Sequence, residues 1–193
     1  MREATTAEQG ATGRAIFYAK FTIVYNVMEG IIAVAAGAVA GAISLIGFGV
    51  DSMIEVAAAT VVLVRLLTTV RGEEPDEAKE RRALKFIAIT FFALAAYVIF
   101  EGLRNLIIGE EPDTSIIGIL ITGLSIVIMP RLARAKRRAG EEMGSRLVIA
   151  DAAETKLCAL LSVSTFAGLV AFAVFGLPWI DSAAGFVIAI FAI

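Results

Sequence analysis

Six long apolar segments divide this chain, and they constrain its fold more than any other feature. They lie near residues 15–37, 41–67, 84–108, 114–131, 146–175 and 179–193. At about 1.5 Å per helical residue, each is long enough or nearly long enough to cross a hydrocarbon core of about 30 Å. Hydrophobic residues make up 59% of the chain, against about 45–50% in soluble domains. The sequence therefore predicts an all-α integral membrane protein with six transmembrane helices in a single domain over residues 14–193.

Basic residues are concentrated in two of the connections between these segments. The second connection is "RLLTTVRGEEPDEAKERRALK" and the fourth is "PRLARAKRRAGEEMGSR", whereas "AGAVAG", "GEEPDTS" and "FGLPW" contain no Lys or Arg. Cytoplasmic loops of membrane proteins carry an excess of these residues. We therefore expect both termini in the cytoplasm and the protein in the cell inner membrane. Residues 1–13 are polar and lack the apolar core of a secretory signal, so we expect a disordered cytoplasmic tail.

Composition excludes several classes of function. The formal net charge of −2 leaves no excess of basic residues to displace counterions from a nucleic acid. The single cysteine excludes an internal disulfide, and the absence of histidine removes the commonest metal ligand. No motif of a hydrolytic zinc enzyme is present, so we expect no enzymatic activity. Any chemistry inside the membrane must use carboxylates and one thiol.

Few polar side chains lie within the apolar segments. On insertion scales a charged residue at the centre of a membrane helix costs about 2.5–3.5 kcal/mol, so such residues need a specific role. The candidates for such a role in the first, second and fifth segments are Asn26, Glu29, Asp51, Ser52, Glu55, Asp151, Glu154, Lys156 and Cys158.

Four of these residues form two matched pairs. Asp51 and Glu55 are four residues apart, as are Glu154 and Cys158, so each pair projects from one face of a helix. Counted inward from the cytoplasmic ends, Glu55 and Asp51 lie about 15 and 21 Å deep, and Glu154 and Cys158 about 12 and 18 Å. Two such faces at overlapping depths can enclose one cation.

Each of these residues, taken singly, could have a purely structural role. A buried acid can be protonated and hydrogen-bonded to a neighbouring helix, and a lone cysteine is often a small core residue. Ser52 can be a packing hydroxyl. Lys156 lies about 200° around the helix from Glu154 and Cys158, so we expect it to face away from them. The alternative function is a non-transporting dimeric membrane protein, a scaffold or metal-binding protein, whose polar cluster holds the helices together.

The segments "YNVMEGIIAVAAG", "SLIGFGVDSMIEV", "MPRLARAKRRAG", "SRLVIADAAETKLCALLS" and "WIDSAAG" resemble the cation diffusion facilitator family. The resemblance is in particular to short members of the family, so we expect no cytoplasmic C-terminal domain. Members of this family are six-helix transporters, usually homodimers, that export divalent cations, mostly zinc, in exchange for protons. The resemblance implies that the metal ligands are Asp51, Glu55, Glu154 and Cys158. The chain departs from the usual Asp and His ligands because it has no histidine.

Three carboxylates and a thiolate suit Zn²⁺ and also Cd²⁺. Because most of these ligands are oxygens, Mn²⁺ and Fe²⁺ are also possible substrates. We expect Asn26, Glu29, Ser52 and Asp151 to lie around the site or along the ion path. For Asp151, attraction of ions at the inner entrance and a hydrogen bond at the helix start are both open. The resulting hypothesis is a secondary active transporter with divalent cations and protons as substrates. We expect no cofactor beyond the transported cation.

Overall fold

The computed structural model describes residues 6–72, 78, 81–82, 85, 89, 92–93, 95–97, 99–100, 103–104, 107, 113–176 and 179–192. Five helices have defined bounds: α1 Thr6–Ala40, α2 Ile43–Val70, α3 Ile116–Met143, α4 Arg146–Phe175 and α5 Trp179–Ala192. The described part of the chain contains no strand. The apolar segment predicted at 84–108 lies largely outside the described residues.

Among the described residues, four helices are long and apolar enough to cross a membrane: Gly10–Ala40 within α1, and α2, α3 and α4. The distribution of residues on α1 fits this environment. Its exposed stripe includes Phe17, Val24 and Met28, whereas its buried stripe contains polar Asn26 and Glu29. A helix with its apolar residues outside and its polar residues inside is suited to a bilayer rather than to water. The prediction of an all-α membrane protein is confirmed for the described residues, and the count of six spans stays a prediction.

The helix α1 starts earlier than the sequence analysis predicts. Residues 6–13 are helical in the structure, although we expected them to belong to a disordered tail. The segment contains alanine, glutamate and glutamine, which favour helix formation, and Ala11 is fully buried. Arg14 also forms an ion pair with Glu142 of α3. These contacts extend α1 beyond the predicted apolar segment.

The helix α3 ends later than predicted. It continues through Pro130 to Met143, so most of the segment that we expected to be a basic loop is helical. Proline removes one backbone donor from a helix and still permits continuation when tertiary packing supports the next turns. That support comes from a buried stripe with helical spacing that includes Leu132, Lys136 and Ala139. The arginines of the same segment, such as Arg137 and Arg138, are exposed.

Small residues bring neighbouring helices into close contact. Gly144 ends α3 in the left-handed conformation with φ of 62°, and the Ser145 side chain caps α4 by accepting a hydrogen bond from the Val148 N–H. This tight turn makes α3 and α4 antiparallel neighbours. A Cβ added at Gly140 would lie 3.0 Å from the backbone nitrogen of Ile149. Such close approach is typical of helix contacts in membranes, where van der Waals packing drives association.

Substitution of Gly49 by alanine is expected to destabilise the contact between α1 and α2. The added Cβ would lie 2.8 Å from the backbone nitrogen of Val34, which cannot move aside as a flexible side chain can. Overpacking of this kind costs about 1–3 kcal/mol, so the melting temperature of the purified protein in detergent should fall. The control is Gly13→Ala, since Gly13 is exposed and its added Cβ meets no atom within 4 Å. Equal melting temperatures for the two variants would show that this contact relaxes freely.

Candidate functional site

Asp51, Glu55 and Cys158 are buried between α2 and α4. The exposed fraction is 4% for both acids and 1% for the cysteine. The Thr155 hydroxyl of α4 donates a hydrogen bond to Oε1 of Glu55, with 2.6 Å between the two oxygens. The Cys158 thiol is close enough to both carboxylates to interact with them electrostatically. The two faces predicted from the i,i+4 spacing therefore meet inside the bundle.

Glu154 lies at the edge of this group. Its side chain is partly buried and interacts electrostatically with Asp151, Glu55 and Asp51. Lys156 is exposed, which confirms the prediction that it faces away from Glu154 and Cys158. The face of α4 that meets α2 thus carries the predicted pair and leaves Lys156 outside.

A lysine from α3 enters the same region. The Lys136 side chain is 1% exposed, and its Nζ lies 2.8 Å from Thr155 Oγ1 and 2.9 Å from Asp151 Oδ2. The distance from Nζ to Oε1 of Glu55 is 3.9 Å. Lys136 therefore compensates the charge of two buried carboxylates, one on α2 and one on α4.

The contacts with Lys136 and Thr155 use only some of the carboxylate oxygens of Glu55 and Asp151. Oε2 of Glu55 and Oδ1 of Asp151 are buried and make no hydrogen bond within the described residues. Across those same residues, no three Asp, Glu or Cys side chains are arranged to hold a metal ion. One of the two Glu55 oxygens accepts the hydrogen bond from Thr155, and Lys136 Nζ lies 3.9 Å from the same oxygen.

The helix α1 adds a second carboxylate region beside the first. Ser52 Oγ of α2 donates a hydrogen bond to Oε2 of Glu29, with 3.0 Å between the oxygens. Glu29 is 1% exposed and interacts electrostatically with Asp51 and Glu55. Ser52 is thus more than a packing hydroxyl, because it orients a buried acid that faces the α2 pair.

Several polar atoms around Glu29 are buried and make no hydrogen bond within the parts of the chain that the structure describes. Asn26, which is fully buried, contributes both atoms of its side-chain amide. Oε1 of Glu29, the hydroxyl of Tyr25 and Oγ of Ser125 also lack a hydrogen bond of standard geometry, although both hydroxyls are close enough to Glu29 to interact with its carboxylate. Buried polar groups of this kind are normally paired with protein or with ordered water, so a hydrated interior suits this part of the bundle. That Asn26 and Glu29 border a cation site stays a prediction.

Asp151 takes a role that the sequence analysis does not predict. We expected it to attract ions at the inner entrance or to form a hydrogen bond at the helix start. The helix start is instead capped by Ser145, and Asp151 forms the buried ion pair with Lys136. An isolated carboxylate at this depth would be costly, and the ammonium group provides its compensation.

Lys136 and Thr155 contact Glu55 or its partners, and sequence reasoning misses both. Lys136 belongs to a segment rich in basic residues, which we interpreted only as a signal of orientation. A helical projection of that segment would have separated it, because Lys136 shares a face with Leu132 and Ala139 while Arg137 does not. No comparable signal marks Thr155, whose hydroxyl is one of many in the chain.

The fold and these side chains define a class of protein. Ionisable residues inside a bundle of membrane helices, paired with one another and facing the interior, are typical of ion transporters and proton relays. Residues 83–193 match the family model of the cation efflux transmembrane domain. The chain therefore belongs to the cation efflux family of membrane transporters, which confirms the resemblance found in the sequence. The matched range contains α3, α4 and α5, and with them Lys136, Glu154 and Cys158.

Two relatives extend this comparison beyond the matched range. The chain is 27% identical over 176 residues to an uncharacterized transporter of Methanocaldococcus jannaschii, across 88% of this chain and 61% of that protein. It is 25% identical over 145 residues to a manganese efflux system protein of Bacillus subtilis, across 72% of this chain and 50% of that protein. The matches thus span between half and two thirds of these relatives.

Proposed function

We propose that this protein exports a divalent metal cation through a site formed by Asp51, Glu55, Glu154 and Cys158. The observation that carries the proposal is the meeting of the two i,i+4 faces inside the bundle, joined by the hydrogen bond from Thr155 to Glu55. Three carboxylates and one thiol can replace much of the hydration shell of a divalent cation. Membership in the cation efflux family supports the same direction of transport.

The ligand chemistry favours Zn²⁺ as the substrate. A thiolate prefers softer ions, so Cys158 supports Zn²⁺ and Cd²⁺ over Mg²⁺ or Ca²⁺. The carboxylates also accept Mn²⁺ and Fe²⁺, and the relative in B. subtilis is named as a manganese efflux protein. Mn²⁺ is therefore the second substrate to test.

Protons are the proposed counter-substrate. The four ligands carry up to four negative charges when deprotonated, and Lys136 supplies one positive charge beside them. A low-dielectric interior does not support the remaining charge, so protons occupy these ligands whenever the metal does not. Metal and protons then compete for the same oxygen and sulfur atoms, and titration belongs to the cluster as a whole.

Alternating exposure of this cluster to the two sides of the membrane would couple metal exit to proton entry. The proposed location is the inner membrane of the cell. In the proposed orientation, the cytoplasmic side contains the turn between α3 and α4 and both termini. Asn26, Glu29 and Ser52 border the path on the side of α1. The proposed assembly is a homodimer, as is usual in the family that the sequence resembles.

Transport by the full chain in proteoliposomes tests this function. Vesicles with a trapped Zn²⁺ dye and a trapped pH dye should show metal flux accompanied by proton movement in the opposite direction, whereas protein-free vesicles should show neither. The assay is repeated with Cd²⁺, Mn²⁺ and Fe²⁺. Absence of flux for all four metals would reject transport and favour the non-transporting alternative. Metal flux without proton movement would reject antiport alone.

A further inference from the structure

Lys136 is the one fully enclosed lysine or arginine side chain among the described residues. Burial of a cation is unfavourable unless hydrogen bonds and opposite charges compensate it. Here Thr155 and Asp151 both lie within hydrogen-bonding distance of Nζ, and Glu55 lies 3.9 Å away. Of the two carboxylates, Asp151 lies closer to the ammonium group than Glu55 does. Glu55 is also a proposed ligand of the metal.

The position of Lys136 along the bundle shows on which side of the proposed metal site its contacts lie. Asp151 and Thr155 precede Cys158 on α4 by seven and three residues, so they lie about 10 and 5 Å nearer the α3–α4 turn. Lys136 contacts both of them. The ammonium group therefore lies between that turn and the level of Cys158 and Asp51.

We propose that Lys136 is a tethered cation that competes with the transported metal for Glu55 and closes the path to the site from the α3–α4 end. This inference rests on the proposed function. A divalent ion bound to Glu55 repels the ammonium group, which moves away from Glu55 and stays bound to Asp151. When the metal leaves, Lys136 returns to Glu55. Lys136 thus weakens metal binding and assists release, and Asp151 holds it during the exchange.

The single cysteine of the chain provides a direct measurement of this gate. Because Cys158 is the sole thiol, the native sequence can be alkylated in nanodiscs without removal of other cysteines. A neutral, water-soluble maleimide reports access to Cys158, and protection by Zn²⁺ reports occupancy of the site. A neutral reagent avoids a direct effect of the lysine charge on the probe.

The substitution Lys136→Met is expected to speed alkylation of Cys158 and to lower the Zn²⁺ concentration that gives half protection by about tenfold, a usual size for coupling between ligands. A structural defect would weaken metal binding, so a gain in affinity identifies competition. The control is Arg138→Met, which removes a positive charge from an exposed position of the same helix. Exposed charges contribute little, so it should change either quantity by less than about twofold.

A second variant covers the case in which Lys136→Met does not fold, because that change leaves Asp151 as an uncompensated buried acid. The double variant Lys136→Met/Asp151→Asn removes both charges, and we expect the same gain in access and affinity. Wild-type alkylation rates and wild-type Zn²⁺ protection in a folded variant would overturn the role of Lys136 and leave the proposed function intact. If Zn²⁺, Cd²⁺ and Mn²⁺ all fail to protect Cys158 in the native chain, the proposed metal site is rejected. Faster alkylation of the Lys136 variants would then still support closure of the path, and unchanged alkylation would overturn it.

Discussion

Replacement of Asp51 by asparagine is expected to reduce the initial rate of Zn²⁺ uptake into proteoliposomes by at least about a hundredfold, since residues that merely orient metal ligands already contribute about 10–100-fold. Asparagine keeps the shape of the side chain and removes its negative charge. Asp51 is buried and interacts with Glu55, Glu29 and Glu154, so it lies at the centre of the acidic cluster. A neutral amide there offers one weak oxygen ligand and cannot exchange a proton for the metal.

The matched control for Asp51→Asn is Glu141→Gln on α3. Glu141 is an exposed acid whose ion pair with Arg137 has an N–O distance of 2.9 Å. Exposed pairs of this kind contribute about 0–1 kcal/mol, so uptake should stay near the wild-type rate. Both variants are compared after equal reconstitution and with matching elution in size-exclusion chromatography. Wild-type uptake by Asp51→Asn would exclude Asp51 from the metal ligands.

Hydropathy locates three of the helices well. The predicted segments 41–67, 146–175 and 179–193 correspond to α2 at Ile43–Val70, α4 at Arg146–Phe175 and α5 at Trp179–Ala192. These boundaries are readable because glycines at 41, 144 and 176 end the preceding helices with φ of 66°, 62° and 65°. The turns therefore have a local chemical cause that a sequence displays.

The packing of α2 against α4 follows from spacing and depth. Asp51 and Glu55 occupy one face of α2, and Cys158 and Glu154 lie at similar depth on α4. Polar groups are unfavourable in contact with lipid, so the two faces are expected to pack against each other inside the bundle. The structure brings Asp51, Glu55 and Cys158 together and leaves Glu154 at the edge. Spacing along one helix predicts which residues share a face, and it does not predict how far each side chain reaches.

Charge compensation inside the bundle is the part that the sequence analysis does not anticipate. Hydropathy marks where a helix leaves the hydrocarbon core, and α3 continues to Met143 well beyond that point. Lys136 therefore lies in a stretch whose composition is typical of a loop, although its side chain is buried like that of a core residue. Its partners Asp151 and Thr155 belong to another helix, so the pairing depends on tertiary packing rather than on local pattern.

Conversion of Cys158 to serine is expected to change which metal is transported. The substitution removes the soft ligand and keeps a side chain of similar size, so transport of Cd²⁺ should fall most and that of Zn²⁺ less. Mn²⁺ uptake should persist, because the proposed ligands Asp51, Glu55 and Glu154 keep their carboxylate oxygens. We expect the ratio of Cd²⁺ to Mn²⁺ uptake to fall by at least about tenfold, comparable with the loss on removal of a group that supports a metal site. Parallel uptake assays with each metal measure this ratio.

The control for Cys158→Ser is Ala159→Ser, which adds a hydroxyl at the next buried position of α4 and leaves the thiol in place. If the change in selectivity arises from a metal–sulfur bond, Ala159→Ser should keep the wild-type ratio. An equal fall for all metals in Cys158→Ser would indicate a packing role for the thiol. An unchanged ratio, with all rates retained, would remove Cys158 from the ligand set and leave a site of carboxylates. Such a site would favour Mn²⁺ and Fe²⁺ as substrates over Cd²⁺, because harder ions gain more from oxygen ligands than softer ions do.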